Sequence, residues 1–207
     1  MSEFERILWV AATPMELRCA PQGGRWSKLA TGCGPAAAGA VLGLELGKSE
    51  LPDLVVGIGV AGAYPDSGVQ VGSVVRVDRE SFADLGCEDG DRFVDLCDLE
   101  IAGAGVERWY ELANPGFFAD LPSVSGATCS VCTGSSATAA TRALRTGAAI
   151  ESMEGAAWAL TSRAAGVPFA QVRAISNIAG PRERAVWRLS DAVATLERTL
   201  EGTCRKI

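Results

Sequence analysis

Histidine is absent from the 207 residues. That excludes the Ser-His-Asp triad, the Cys-His dyad, HExxH zinc sites and any histidine base. Proton transfer is left to Asp, Glu, Lys, Arg, Tyr, Cys or backbone groups. No Lys/Arg-rich stretch stands against a formal charge of −6, so neither a nucleic acid nor an anionic membrane is an expected partner. Long apolar runs are also missing. Ile7 to Ala12 is only of strand length, and Met1 to Arg6 lacks the basic start of a signal peptide. The seven cysteines are an odd set without framework spacing. Without an export signal they read as reduced thiols in a cytoplasm.

Enough apolar sequence remains for a full core: hydrophobic residues make up 48% and charged residues 21%. The length suits one α/β domain over residues 1–207, with no room for a second catalytic module. Expected strands are 7–12, 54–60, 73–77, 125–131, 148–150 and 169–175. Expected helices are Pro35 to Leu46, opened by Gly32-Cys33-Gly34-Pro35, then 136–145, 153–165 and 189–200. Their alternation implies an α/β layer fold with a largely parallel sheet. Residues 79–121 read as the least regular part, a solvated excursion rich in acids: Glu88, Asp89, Asp91, Asp95, Asp98 and Glu100. The pair Cys129/Cys132 falls in an apparent strand from Ala127 to Thr133. Residues three apart there point to opposite faces, so a buried structural role is expected rather than a shared metal.

Gly57-Ile58-Gly59-Val60-Ala61-Gly62 matches GxGxxG, with Asp78 or Glu80 near the distance of a ribose-binding acid. A dinucleotide site needs that loop to open a helix. Here it runs into the turn 63–68 and then a strand, with no space for a crossover helix. Close backbone approach to another ligand suits these glycines better.

Four segments at strand ends carry candidate chemistry: Thr13-Pro14-Met15-Glu16, Thr133-Gly134-Ser135-Ser136, Glu151-Ser152-Met153-Glu154-Gly155 and Arg173-Ala174-Ile175-Ser176-Asn177. Ligands of open α/β sheets bind beyond the carboxyl ends of strands, so these segments are placed to converge.

The ordered motifs ATPMEL, TGCGPAAA, GIGVAGAYP, VGSVV, ESMEGAA and VRAISN resemble the purine nucleosidase/phosphorylase superfamily over residues 7–200. The resemblance is nearest to its futalosine hydrolase branch and next to the 5′-methylthioadenosine/S-adenosylhomocysteine nucleosidases. It implies a three-layer α/β sandwich of the nucleoside phosphorylase type, with a mixed central sheet flanked by helices. It also implies cleavage of a purine N-ribosidic bond, hypoxanthine as leaving base, a place in the futalosine route to menaquinone, and a homo-oligomer.

By the same resemblance Glu16 stands at the water-activating position. Glu154 stands where ribose hydroxyls are gripped, with Met153 against the sugar. Arg173 lies near the water, Asn177 at the base, and Val60, Ala61 and Gly62 along the substrate. Val60 replaces a serine of the methylthioadenosine nucleosidases, and Asn177 replaces their aspartate. Ser135 reads either as a helix cap or as a base-side contact. Arg182 and Arg184, with Trp187 as an aromatic wall, are candidates for the aromatic carboxylate of futalosine, and Phe117 and Phe118 are candidates to line the same pocket, in this subunit or a neighbouring one.

The expected partner is a small purine nucleoside, with no metal, nicotinamide or flavin cofactor. Phosphorolysis is disfavoured, because the loops 32–34 and 57–62 hold no Arg or Lys and Glu16 would repel phosphate. A non-catalytic nucleoside binder is the reading from another class; it predicts loss of Glu16 or Glu154, and both are present.

Overall fold

The computed structural model describes residues 4–48, 50–99, 106–182 and 187–204. Past the polar N-terminus the first apolar run becomes β1 (Arg6–Ala11), buried over nearly its whole length. Such a strand needs a covering layer on each face. It pairs in parallel with β2 (Arg25–Ala30) on one side and β3 (Leu54–Ala63) on the other. A single helical turn, α1 (Pro14–Leu17), follows β1, and α2 (Pro35–Leu46) links β2 to β3. The chain continues through β4 (Val74–Phe82), the hairpin β5 (Gly86–Asp89) and β6 (Arg92–Asp95), β7 (Tyr110–Glu111) and β8 (Ser123–Thr128). It ends with α3 (Ser136–Thr146), β9 (Ile150–Ser152), α4 (Gly155–Ala164), β10 (Phe169–Ile178) and α5 (Leu189–Cys204).

The sheet is mixed and closes on itself. β3 runs parallel to β10, β10 antiparallel to β4, β4 parallel to β8, and β8 parallel to β9. The short β9 then returns antiparallel to the end of β3, through Gly62↔Glu151 and Ala63↔Ile150. β1 and β2 extend from β3 as an open wing. One core lies between the sheet and α5, built on Trp9, Val56, Ile58, Val172 and Leu196. A second lies between the sheet and the paired helices α2 and α4, built on Val10, Leu42, Val55, Trp158 and Phe169. These three layers match the expected sandwich. Inside the ring, Ala61, Val75, Val77, Ile150 and Ile175 pack together.

Several local expectations need correction. β4 extends to Phe82 and β7 pairs with it, so part of 79–121 is sheet; among the described residues the exposed excursion is mainly the β5–β6 hairpin, and Glu100 lies outside them. β2 was not expected at all. The strand at 125–131 stops at Thr128, so Cys129 and Cys132 do not share a strand. Cys129 is buried, whereas Cys132 is exposed. Phe118 is buried in the α5-side core with the partly buried Phe117 packed on it, their ring centroids 4.5 Å apart, and neither lines this chain's own cleft. The GxGxxG stretch lies within β3 and opens no helix.

Candidate active site

A cleft of about 240 Å³ opens at the carboxyl ends of β1, β3 and β10. Ala12, Glu16, Cys33, Val60, Met153 and Asn177 are among its lining residues. Each arrives from a segment with a physical reason to hold still.

Glu16 is the third residue of α1. Thr13 caps that turn by accepting from the Glu16 N–H, and Glu16 Oε2 accepts from the Thr13 N–H at 3.2 Å and its hydroxyl at 2.7 Å. This reciprocal capping box locks the side chain. Glu16 Oε1 accepts one further bond, from the Val60 N–H at 3.1 Å. A carboxylate oxygen has two lone-pair sites, so Oε1 keeps one for a ligand. Val60 thus contributes its backbone N–H to the placing of Glu16.

Glu154 forms the head of α4 and is buried. Its Oε1 accepts from the Gly34 N–H at 3.2 Å. Gly34 caps α2 with φ of 88°, a left-handed conformation that favours glycine and turns this N–H toward the carboxylate. Arg173, on β10, reaches Glu154 Oε2 at 3.5 Å and is itself only 1% exposed. Burial pushes the Glu154 carboxyl up from its ordinary value; Arg173 and the Gly34 N–H oppose that rise, and Glu16 adds to it. Gly59 sits opposite Arg173 in the β3–β10 pairing. A Cβ there would lie 2.7 Å from Glu16 Oε1 and 2.8 Å from the Arg173 guanidinium, so the glycine leaves the room that these two side chains occupy. Arg173 does not line the cleft and lies behind its wall, beside Glu154.

Asn177 follows an irregularity in the β3–β10 register between Ile175 and Asn177, of the kind that re-aims a side chain. Its amide donates to the Ile178 carbonyl at 3.0 Å, and its Oδ1 accepts from the Ser176 hydroxyl at 2.8 Å. A carbonyl can only accept, so these partners fix which end of the amide is which. One N–H and one lone pair stay free.

Among the remaining expected residues, Ala61, Gly62 and Met153 line the cleft. Ser135 does not. It is exposed and caps α3, accepting from the Thr138 N–H at 3.1 Å, which satisfies an otherwise free helix donor. Arg182 is exposed beside Trp187, 5.4 Å from the ring centroid, and Trp187 lines the cleft. Arg184 lies outside the described residues.

Sequence reasoning missed two groups. Glu151 lines the cleft and accepts from the Thr133 N–H at 3.0 Å and hydroxyl at 2.5 Å, while Arg142 donates to the same hydroxyl at 3.0 Å. Only its place in the ESMEG segment signalled it. Cys132 Sγ lies 3.2 Å from Met153 Sδ at the cleft edge.

This fold, with a carboxylate-lined cleft at its strand ends, is that of the nucleoside phosphorylases and nucleosidases, and the chain belongs to the Phosphorylase superfamily, whose profile matches residues 20–205. A futalosine hydrolase of Streptomyces coelicolor is 37% identical over 182 residues, 83% of this chain and 75% of that protein. A futalosine hydrolase of Thermus thermophilus is 33% identical over 180 residues, 83% of this chain and 78% of that protein. Among solved structures, native futalosine hydrolase of Helicobacter pylori superposes with a TM-score of 0.79 at 14% identity, over 98% of each chain. The 5′-methylthioadenosine/S-adenosylhomocysteine nucleosidase of Helicobacter pylori, in complex with butyl-thio-DADMe-Immucillin-A, superposes with a TM-score of 0.80 at 14% identity, over 99% of this chain and 100% of that one.

Proposed function

We propose that the chain hydrolyses the N-glycosidic bond of futalosine, releasing hypoxanthine and dehypoxanthine futalosine. The observation that carries this reading is the pair of buried carboxylates, Glu16 and Glu154, the second beside Arg173, with a fixed amide at Asn177 in the same cleft. Three relatives at 33–37% identity bear the name futalosine hydrolase, which supports this substrate.

In this reading the C1′–N9 bond breaks and its electron pair leaves with the base. Positive charge develops on the ribose. Water bonds to C1′ and passes a proton to the free lone pair of Glu16 Oε1. Glu154 accepts from ribose hydroxyls, and those bonds strengthen as the sugar flattens toward an oxocarbenium ion. Solvent supplies the proton to the departing base. The described residues lining the cleft include three carboxylates, Glu16, Glu151 and Glu154, and no Lys or Arg. That set attracts the cationic sugar and repels phosphate, which favours hydrolysis over phosphorolysis.

Asn177 selects the base. Its free lone pair accepts from protonated N7, and its free N–H donates to a 6-oxo group. A 6-amino group would meet that N–H donor to donor, and mispaired buried donors cost about 1–3 kcal/mol. Met153 packs on the sugar, and Arg182 with Trp187 receives the aromatic carboxylate. We place the enzyme in the cytoplasm, in the futalosine route to menaquinone, as a homo-oligomer. The test compares specificity constants for futalosine and methylthioadenosine on the wild type and on Asn177→Asp. A strong wild-type preference for futalosine that collapses in the variant supports the reading. Equal use of both substrates by the wild type, or an unchanged ratio in the variant, removes it.

A further inference from the structure

Glu80 is a fully buried carboxylate that the mechanism above does not use. It projects from β4, and two strands of the ring hold it. Its Oε1 accepts from the Thr128 hydroxyl of β8 at 3.0 Å, and its Oε2 accepts from the Gln171 side-chain amide of β10 at 2.8 Å. Both partners donate, so the arrangement is complementary to the ionised carboxylate. Two glycines make room for it. A Cβ on Gly155 would lie 2.5 Å from Glu80 Oε2, and one on Gly126 would overlap the same carboxylate.

The contacts lead to the cleft. Thr128 Oγ1, which donates to Glu80, accepts from the Ala156 N–H at 2.7 Å. Gly155 and Ala156 open α4, and Glu154 stands immediately before them. Arg173 lies two residues beyond Gln171 on the same face of β10 and reaches Glu154 at 3.5 Å. The charged groups facing Glu80 are Arg173 from β10 and Glu154 from the head of α4; β8 presents only the neutral Thr128.

We propose that Glu80 is a positioning residue for the nucleosidase reaction: through Thr128 and Ala156 it fixes the head of α4, and so the Glu154 carboxylate, under the ribose. This inference rests on the function proposed above. Glu80 also sets a pH dependence. Burial raises its carboxyl to about 7, with Arg173, Gln171 and Thr128 opposing the rise. The ionised form takes both hydrogen bonds and adds negative charge behind the cleft, so turnover rises as pH passes upward through that value.

The test uses Glu80→Gln, with folding checked by circular dichroism. Futalosine turnover is followed from pH 5.5 to 8.5. The expected result is a kcat lower by about tenfold or more, KM changed by less than about threefold, and loss of the wild-type inflection near pH 7. Thr128→Val removes the linking hydroxyl and Thr128→Ser restores it, so the first should share the kcat loss and the second should recover most of it. Binding of a cationic iminoribitol nucleoside analogue, measured by calorimetry, reads the same placement without turnover and should weaken about fivefold or more in both Glu80→Gln and Thr128→Val. Wild-type kcat, pH profile and analogue affinity in the folded variants overturn the proposal. Should Glu80→Gln fail to fold, the Thr128 pair decides alone. A wild type that binds the analogue but leaves futalosine intact removes the proposed substrate and leaves the Glu80 comparison to the calorimetry.

Discussion

Glu16 is engaged by three donors in the structure, two from Thr13 and one from Val60. Those bonds aim it and leave the unused lone pair of Oε1 as the place where a proton can go. Glu16→Gln keeps the shape and part of the capping box but removes that basic site. Turnover should fall by about 10²-fold or more, in line with general-base catalysis, with little change in melting temperature. Near-normal turnover in a folded variant would remove Glu16 from the mechanism. At this scale the motif context named Glu16, Glu154, Met153 and Asn177 near strand ends, and the structure brings all four to one cleft. The motif context could not locate Glu80 or Glu151. Both are buried acids held by partners outside their own segments, with Gln171 91 positions from Glu80 and Thr133 18 from Glu151. Ser135 carried a signal for capping and for binding alike, and the geometry of α3 decides for the cap.

At the scale of elements, β3 and β10 build the site together. Gly57 and Gly59 lie in the same strand and look alike in sequence, yet they face different demands. A Cβ at Gly57 would meet Trp158 at 2.8 Å and Phe169 at 2.9 Å, both in the helix-side core. A Cβ at Gly59 would meet Glu16 and Arg173. Gly57→Ala should therefore lower stability by about 1–3 kcal/mol through overpacking, with activity per folded molecule largely kept. Gly59→Ala should instead lower kcat by about tenfold or more by pushing the Glu16 carboxylate and the Arg173 guanidinium out of place. Denaturant unfolding and steady-state kinetics on both variants separate the two cases; a matching profile would contradict the division. Most long elements were legible because apolar periodicity marks them. β2 was not: Arg25 to Ala30 is half-exposed with mixed polarity, and only its pairing with β1 makes it a strand. Ring closure was not legible either, since it depends on the three-residue β9 meeting the end of β3.

Across the whole molecule, a buried carboxylate with a raised value leaves a mark on stability. The folded chain holds the Glu80 proton up to about pH 7, whereas an unfolded carboxyl releases it near 4.5. Between those values the folded state binds more protons, so stability falls as pH rises. The contribution is fully present below about 4.5 and is lost by about 7, with an upper size of about 3 kcal/mol. Denaturant unfolding at pH 5 and pH 7.5 should show a smaller drop in Glu80→Gln than in the wild type; an identical drop would mean that Glu80 titrates normally. With no histidine in the chain no imidazole titrates in the same window, and the raised Glu154 carboxyl is present in wild type and variant alike.

The proposed reaction is attack by water on a purine nucleoside held between carboxylates. Its most direct test is incubation of the purified protein with futalosine, with and without inorganic phosphate, following free hypoxanthine by chromatography and sugar phosphate by ³¹P NMR. Hypoxanthine should appear at the same rate in both buffers, with no sugar 1-phosphate signal. Hypoxanthine that requires phosphate and arrives with a sugar 1-phosphate, or no hypoxanthine in either buffer, would contradict it.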